Sequence, residues 1–181
     1  MSEVCGFSFS YPYHAELKII GPMKALILYD SQFGNTEQIA RAIGQGLTAA
    51  GAEATVLRAA EAPADVAAGY DLLIVGSPTQ SFHATKPVDA LLQGRPLAGM
   101  RATAFDTRLD VREVDSRMLK LAVRMAGDNA WAATRIAAQL EKDGATVVVP
   151  PEGFIVEGTE GPLRAGELER ARAWGAALLV A

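Results

Sequence analysis

Cysteine is nearly absent from this 181-residue chain, where Cys5 stands alone. No internal disulfide can form, so the fold does not need an oxidising compartment. Histidine is scarce as well: His14 and His83 are the only two. One thiol and two imidazoles make a poor ligand set for a metal. A basic excess is missing too, since 17 Lys and Arg face 21 Asp and Glu for a net charge of −4. That balance argues against a nucleic-acid binder, which would cluster a positive surplus on one face. Long apolar runs are also lacking. The longest, Ala173 to Ala181, falls far short of the roughly 20 residues that cross a bilayer. The N-terminus shows neither the basic start nor the apolar core of a signal peptide. The expectation is a cytoplasmic protein whose partners are neither nucleic acid nor membrane.

What is present is globular. Half the residues are hydrophobic and 21% are charged, and the length suits one domain with a proper core. Residues 1–22 differ from the rest, carrying Ser, Tyr, Pro and Phe without a hydrophobic period and ending at Gly21-Pro22. They read as an N-terminal extension of low order before Glu16. It is either an over-long start ahead of Met23 or a real element with a strand at Leu17–Ile20. From Lys24 to Tyr29 a continuous apolar run marks a strand buried on both faces. Thr36 to Ala50 follows as a helix, with Ile39, Ile43 and Leu47 on one side and Gly51 as its stop. Further strands are expected at Glu53–Arg58, Asp71–Gly76, Arg101–Asp106 and Thr146–Val149. Further helices are expected from Pro87, over Asp115–Ala126 and Asn129–Lys142, and from Gly166 to Leu179. Five strands with helical crossovers predict an α/β fold with a mostly parallel sheet and helices on both faces. Such sheets bind ligands beyond the carboxyl ends of their strands.

The loop after the first strand, Asp30 to Glu37, is the sharpest chemical signal. Ser31 and Thr36 offer hydroxyls, Asn35 an amide, and Gly34 a backbone that a ligand can approach without meeting a Cβ. The loop runs directly into a helix N-terminus, whose free N–H groups and dipole favour a phosphate dianion. It contains no Lys or Arg, so the donors within it are neutral. The alternative is a helix merely capped by Ser31, Asn35 or Thr36. Competing chemistries lack their residues. No Gly-x-Gly-x-x-Gly or Walker-type Gly-Lys-Ser/Thr follows the strand. Gly76-Ser77 stands where a receiver domain would place an aspartate. Cys5 is far from the loop, and no Gly-x-Ser-x-Gly elbow occurs.

Ser31-Gln32-Phe33-Gly34-Asn35-Thr36 resembles the phosphate loop of the flavodoxin family, written Ser/Thr-x-Thr/aromatic-Gly-Asn/Thr-Thr/Ser. Gly76-Ser77-Pro78-Thr79 is similar to the family's second flavin loop, and Phe154 to Gly158, Gly161-Pro162-Leu163 and Gly166 to Ala171 look like single-domain relatives. The resemblance covers roughly residues 23–181. It implies a flavodoxin-like three-layer sandwich, a five-stranded parallel sheet of order 2-1-3-4-5, and noncovalent FMN. It also implies that Ser31, Gln32, Phe33, Gly34, Asn35 and Thr36 hold the phosphate. Ser77, Pro78 and Thr79 would flank the ribityl chain and flavin, with Gln80, Ser81 and Phe82 near the ring. Asp106, Thr107 and Arg108 would close the other side.

The chain departs from that pattern in having no Tyr or Trp in the loops after strands three and four. Phe82 is the aromatic left to stack, unless it only packs. His83 either approaches the flavin edge or lies on the surface. Trp131 is expected to pack between its helix and the preceding loop. Arg108 would favour a reduced, anionic flavin and so raise its potential, or else pair with Asp106, Asp110 or Glu113. The implied function is electron carriage between redox partner proteins, a reductase and an acceptor. An FMN-dependent NAD(P)H:quinone-type reductase, or a module of the same fold with weak or no FMN binding, remain the alternatives.

Overall fold

The computed structural model describes residues 21–180 apart from positions 64 and 95. The extension through residue 20, with the possible strand at Leu17–Ile20 and the lone Cys5, lies outside the described residues. Strands β1 (Lys24–Tyr29), β2 (Glu53–Arg58), β3 (Leu72–Pro78) and β4 (Arg101–Leu109) form the sheet with β5 (Thr146–Val147) and β6 (Glu152–Val156). The order is β2-β1-β3-β4-β5, and every pairing is parallel. Helices α1 (Asn35–Ala49), α2 (Lys86–Leu92), α3 (Arg117–Ala126), α4 (Ala132–Lys142) and α5 (Glu167–Ala177) supply the crossovers and the closing element.

Side-chain alternation along β1 sorts the two faces. Ala25, Ile27 and Tyr29 meet Ile39, Ile43 and Leu47 of α1 and Ala171 of α5, together with Phe105 and Phe154. Leu26 and Leu28 turn the other way, toward Val88 and Leu91 of α2 and Ile136 and Leu140 of α4. Both faces of the central strands are therefore covered, which explains their unbroken apolar sequence. Phe154 stands edge-on between Phe105 and Trp174, with ring centroids 6.1 and 6.2 Å away. Helices α1 and α5 touch where side chains vanish: a Cβ on Gly46 would strike the carbonyl of Arg172, and one on Gly175 the carbonyl of Ile43.

Three strands differ from the sequence expectation: β3, expected to stop at Gly76, continues to Pro78 in register with β4, so Ser77 and Pro78 are strand residues. The fifth strand, expected at Thr146–Val149, is divided. The segment β5 pairs with Arg101 and Ala102, and β6 resumes opposite Phe105 to Leu109. Pro150 and Pro151 lie between them, and a residue without an N–H cannot continue the ladder. Strand β4, expected to stop at Asp106, runs on to Leu109 because β6 gives its last residues a partner. Thr107 and Arg108 are thus strand residues rather than loop residues.

The expected helix near Asp115–Ala126 is present as α3. Ser116 caps it by accepting from the Leu119 N–H at 3.2 Å. It buries no residue, and Met118, Leu121 and Met125 are exposed along it. Trp131 ends a short 3₁₀ turn, Gly127–Ala130, so α4 begins three residues later than periodicity predicts.

Candidate functional site

The loops after β1 and β3, the end of β4 and the turn after β6 converge on one cleft of about 460 Å³ at the carboxyl ends of the strands. That volume lies in the range of small-molecule sites. A larger hollow of about 830 Å³ opens at the other end, among Met23, Tyr70, Leu97 and Met100. The parallel-sheet rule favours the carboxyl end, and so does the local chemistry.

The first wall is the loop between β1 and α1. Gly34 takes φ 84° in the left-handed region and occupies the N-cap of α1, where no side chain accepts from the helix. The capping alternative therefore fails, and the first N–H groups of α1 remain available for a ligand. Ser31 is buried, and its Oγ has no hydrogen-bond partner among the described residues. An unpaired buried hydroxyl costs on the order of 1–3 kcal/mol, and an anion here would satisfy it. Thr36 Oγ1 lies 2.8 Å from Thr107 Oγ1 in a buried contact that joins α1 to β4. Whichever hydroxyl accepts in that pair keeps its own hydrogen for a ligand. Asn35 serves differently, donating from Nδ2 to the Glu160 carbonyl at 2.9 Å and tying the loop to the turn after β6. A Cβ on Gly161 would run into that amide.

The second wall comes from β3 and the turn after it. Pro78, Thr79, Gln80 and Ser81 line the cleft, and the Gln80 and Gln32 side-chain amides meet. Gln80 and His83 exchange backbone hydrogen bonds of 2.9 Å, closing a hairpin turn with Ser81 and Phe82 at its tip. Both tip residues have positive φ, 48° and 69°, a conformation that costs non-glycine residues energy and gathers at functional sites. Ser77 is fully buried behind this wall; its Oγ donates to the Pro78 carbonyl and accepts from the Thr85 N–H at 2.9 Å. Phe82 sits in the turn but outside the cleft lining, and the His83 side chain borders a separate hollow beside Arg135.

The third wall is the end of β4. Thr107, Arg108 and Leu109 face the cleft with Val156 and Thr159 beyond them. Asp106 lies behind it, fully buried. It accepts from Arg108 Nε, from Thr79 Oγ1 at 2.9 Å and from the Ala133 N–H at 3.0 Å. Thr79 Oγ1 in turn accepts from the Ala132 N–H at 2.9 Å. These bonds supply from outside the cap that α4 lacks in its own sequence. Burial pushes the Asp106 carboxyl above its ordinary value, against the pull of Arg108, Ala133 and Thr79. The Arg108 guanidinium also lies over the Trp131 ring, 4.3 Å from its centroid. Of the two roles open to Arg108, pairing is realised, and Trp131 packs on that side chain rather than only on its own loop.

Arg58 was missed by sequence reasoning. Placed at the end of β2 opposite Tyr29, it donates from Nη2 to the Ser31 carbonyl at 2.6 Å. The parallel order 2-1-3 sets the end of β2 beside the loop after β1, so the signal lay in topology and not in the loop. Val156 and Thr159 were missed for the same reason.

A family model described as Flavodoxin matches residues 27–174. The chain belongs to the flavodoxin family. Among solved structures, oxidised flavodoxin 2 from Bacillus cereus is 22% identical with a TM-score of 0.67, and the match covers 87% of this chain and 98% of that one. A flavodoxin from the domain Archaea gives 22% identity and a TM-score of 0.65 over 86% and 96% of the two chains. Rubredoxin oxygen:oxidoreductase from Desulfovibrio gigas matches with 19% identity and a TM-score of 0.64, covering 88% of this chain and 37% of the other. At these identities the structures establish the fold, and family membership rests on the sequence model.

The cofactor of the flavodoxin family is FMN, and its chemistry is electron transfer. The residues of this flavodoxin fit such a group. An orphaned buried hydroxyl, an uncapped helix N-terminus and a left-handed glycine stand together where a phosphate would be received. Among the described residues no group of His, Cys, Asp and Glu could hold a metal ion. No helix there is long and apolar enough to cross a membrane.

Proposed function

We propose that this flavodoxin binds FMN in the cleft and carries electrons between a reductase and an acceptor protein, in the cytoplasm. The observation that carries the reading is Ser31 Oγ, buried without a partner among the described residues beside the uncapped start of α1. The N–H groups of α1, Ser31 Oγ and the hydroxyl left free in the Thr36–Thr107 pair would hold the phosphate. Gly34 keeps their approach open by placing no Cβ beside them, at a φ of 84° that glycine adopts freely. Thr79, Gln80 and Gln32 would orient the polar chain and ring. The Asp106–Thr79–Ala132 bonds keep that wall still. FMN supplies the redox chemistry when bound, and the protein supplies binding, orientation and electrostatics.

Titration of the apoprotein with FMN, followed by flavin fluorescence, tests the reading. Saturable binding that is lost in Gly34→Val supports it, because a β-branched residue is strained at positive φ. A wild-type protein that leaves FMN free refutes it in favour of a module without the cofactor.

A reductase is the second reading, and one observation favours it. Among the residues lining the cleft, Phe33 is the only aromatic, and it is 45% exposed. A flavin with few rings over it leaves a face open to a nicotinamide or quinone. Steady oxidation of NADPH with a quinone by the FMN-loaded protein alone would support that reading. Turnover only after a separate reductase is added would support the carrier.

A further inference from the structure

The phosphate loop of this chain contains no basic residue, yet the fold brings one to it from another strand. Arg58 reaches the loop from the side of β2, outside the cleft lining, and donates from Nη2 to the carbonyl of Ser31. Its Nε is buried without a hydrogen-bond partner among the described residues, and the nearest carboxylate oxygen, on Asp30, is 3.9 Å away. The guanidinium also lies 6.0 Å from the centroid of the Tyr29 ring. Glu37, the acidic residue of the first turn of α1, is engaged by Arg41 at 2.8 Å. Arg58 is therefore only loosely neutralised, and it grips the residue whose hydroxyl is orphaned.

The geometry points to Arg58 as the charge of the phosphate site and the residue that selects a phosphorylated flavin over riboflavin. It is a positioning residue that does not touch the ligand. Its hydrogen bond holds the Ser31 carbonyl away from the cleft, so that donors rather than a carbonyl oxygen face the anion. Its positive charge lowers the cost of gathering a dianion there. The inference rests on the FMN reading above and adds to it a residue the loop pattern does not contain.

The test compares FMN with riboflavin on the apoproteins of wild type, Arg58→Gln and Arg58→Lys, across a series of salt concentrations. Arg58→Gln is expected to weaken FMN by about tenfold, the order for a half-exposed charge acting on a dianion through partly screened surroundings. Riboflavin affinity should stay unchanged, and the dependence of FMN affinity on salt should flatten. Arg58→Lys keeps the charge but not the fork, so it should retain the salt dependence. Equal loss of FMN and riboflavin in Arg58→Gln would show a support that is only structural, overturning the inference. FMN binding indistinguishable from wild type would overturn it as well. Both results leave the FMN reading intact, whereas a wild type that binds neither flavin sinks that reading and the inference together.

Discussion

Removing the Asp106 carboxylate should be the most damaging single change around the cleft. The side chain is fully buried and accepts three hydrogen bonds, from Arg108 Nε, Thr79 Oγ1 and the Ala133 N–H. Asp106→Ala leaves the Arg108 guanidinium, which is only 16% exposed, without its counter-charge. It also leaves the start of α4 without one of its two external acceptors. Breaking a buried ion pair by deleting one member costs about 3–5 kcal/mol, a large share of the roughly 5–15 kcal/mol that holds a domain folded. We expect a loss near 4 kcal/mol on those grounds. Asp106→Asn should be milder, because its carbonyl oxygen can still accept from Ala133 and Thr79. Arg108→Gln combined with Asp106→Asn should cost less than the two single changes added, since the uncompensated charge goes too. Urea unfolding of wild type, the three single variants and the double variant, read by far-UV circular dichroism, measures all of this. A cost below about 1 kcal/mol for Asp106→Ala, or strict additivity in the cycle, would refute the argument.

Three further outcomes are expected. Ser31→Ala should weaken FMN by about tenfold, the value of one hydrogen bond to a charged group; its unfolding midpoint without FMN should not fall, because the hydroxyl has no partner to lose. A lower midpoint with unchanged affinity would reverse that assignment. Gly46→Ala and Gly175→Ala should each destabilise the fold by about 2–3 kcal/mol through overpacking of α1 against α5; urea midpoints like that of wild type would mean the helices part without cost. Hydrogen bonds from Arg112, then Arg164, hold the Asp110 carboxyl well below its usual range. Its folded value lies below its unfolded one, so its contribution is complete above the unfolded value and disappears as pH falls through the folded value. Melting curves from neutral pH to about pH 3 should therefore fall more steeply for wild type than for Asp110→Asn, and parallel curves would contradict the shift.

The central strands and the phosphate loop were legible in the chain because their signals are local. Ala25–Tyr29 and Leu72–Val75 are apolar on both faces, which a covered parallel strand explains. The loop from Ser31 to Thr36 carries its donors contiguously and enters the helix that supplies the rest. Those features follow from φ/ψ preferences, side-chain period and the end of a helix, all of which act over a few residues.

Contacts decided by strand neighbours were not legible in that way. The extension of β4 through Leu109 depends on β6, more than forty residues later, lending it hydrogen bonds past the break at Pro150-Pro151. Asp106 and Arg108 looked like cleft residues side by side. Arg108 does line the cleft, with its guanidinium over Trp131, but the sheet buries Asp106 behind it as an acceptor for α4. Arg58 reached the phosphate loop because β2 pairs with β1 in parallel, ending where the loop begins. Local sequence specified which segments become strands, helices and donor loops. Long-range pairing specified which charges those donors would feel, because Coulomb interactions follow distance in space and not separation along the chain.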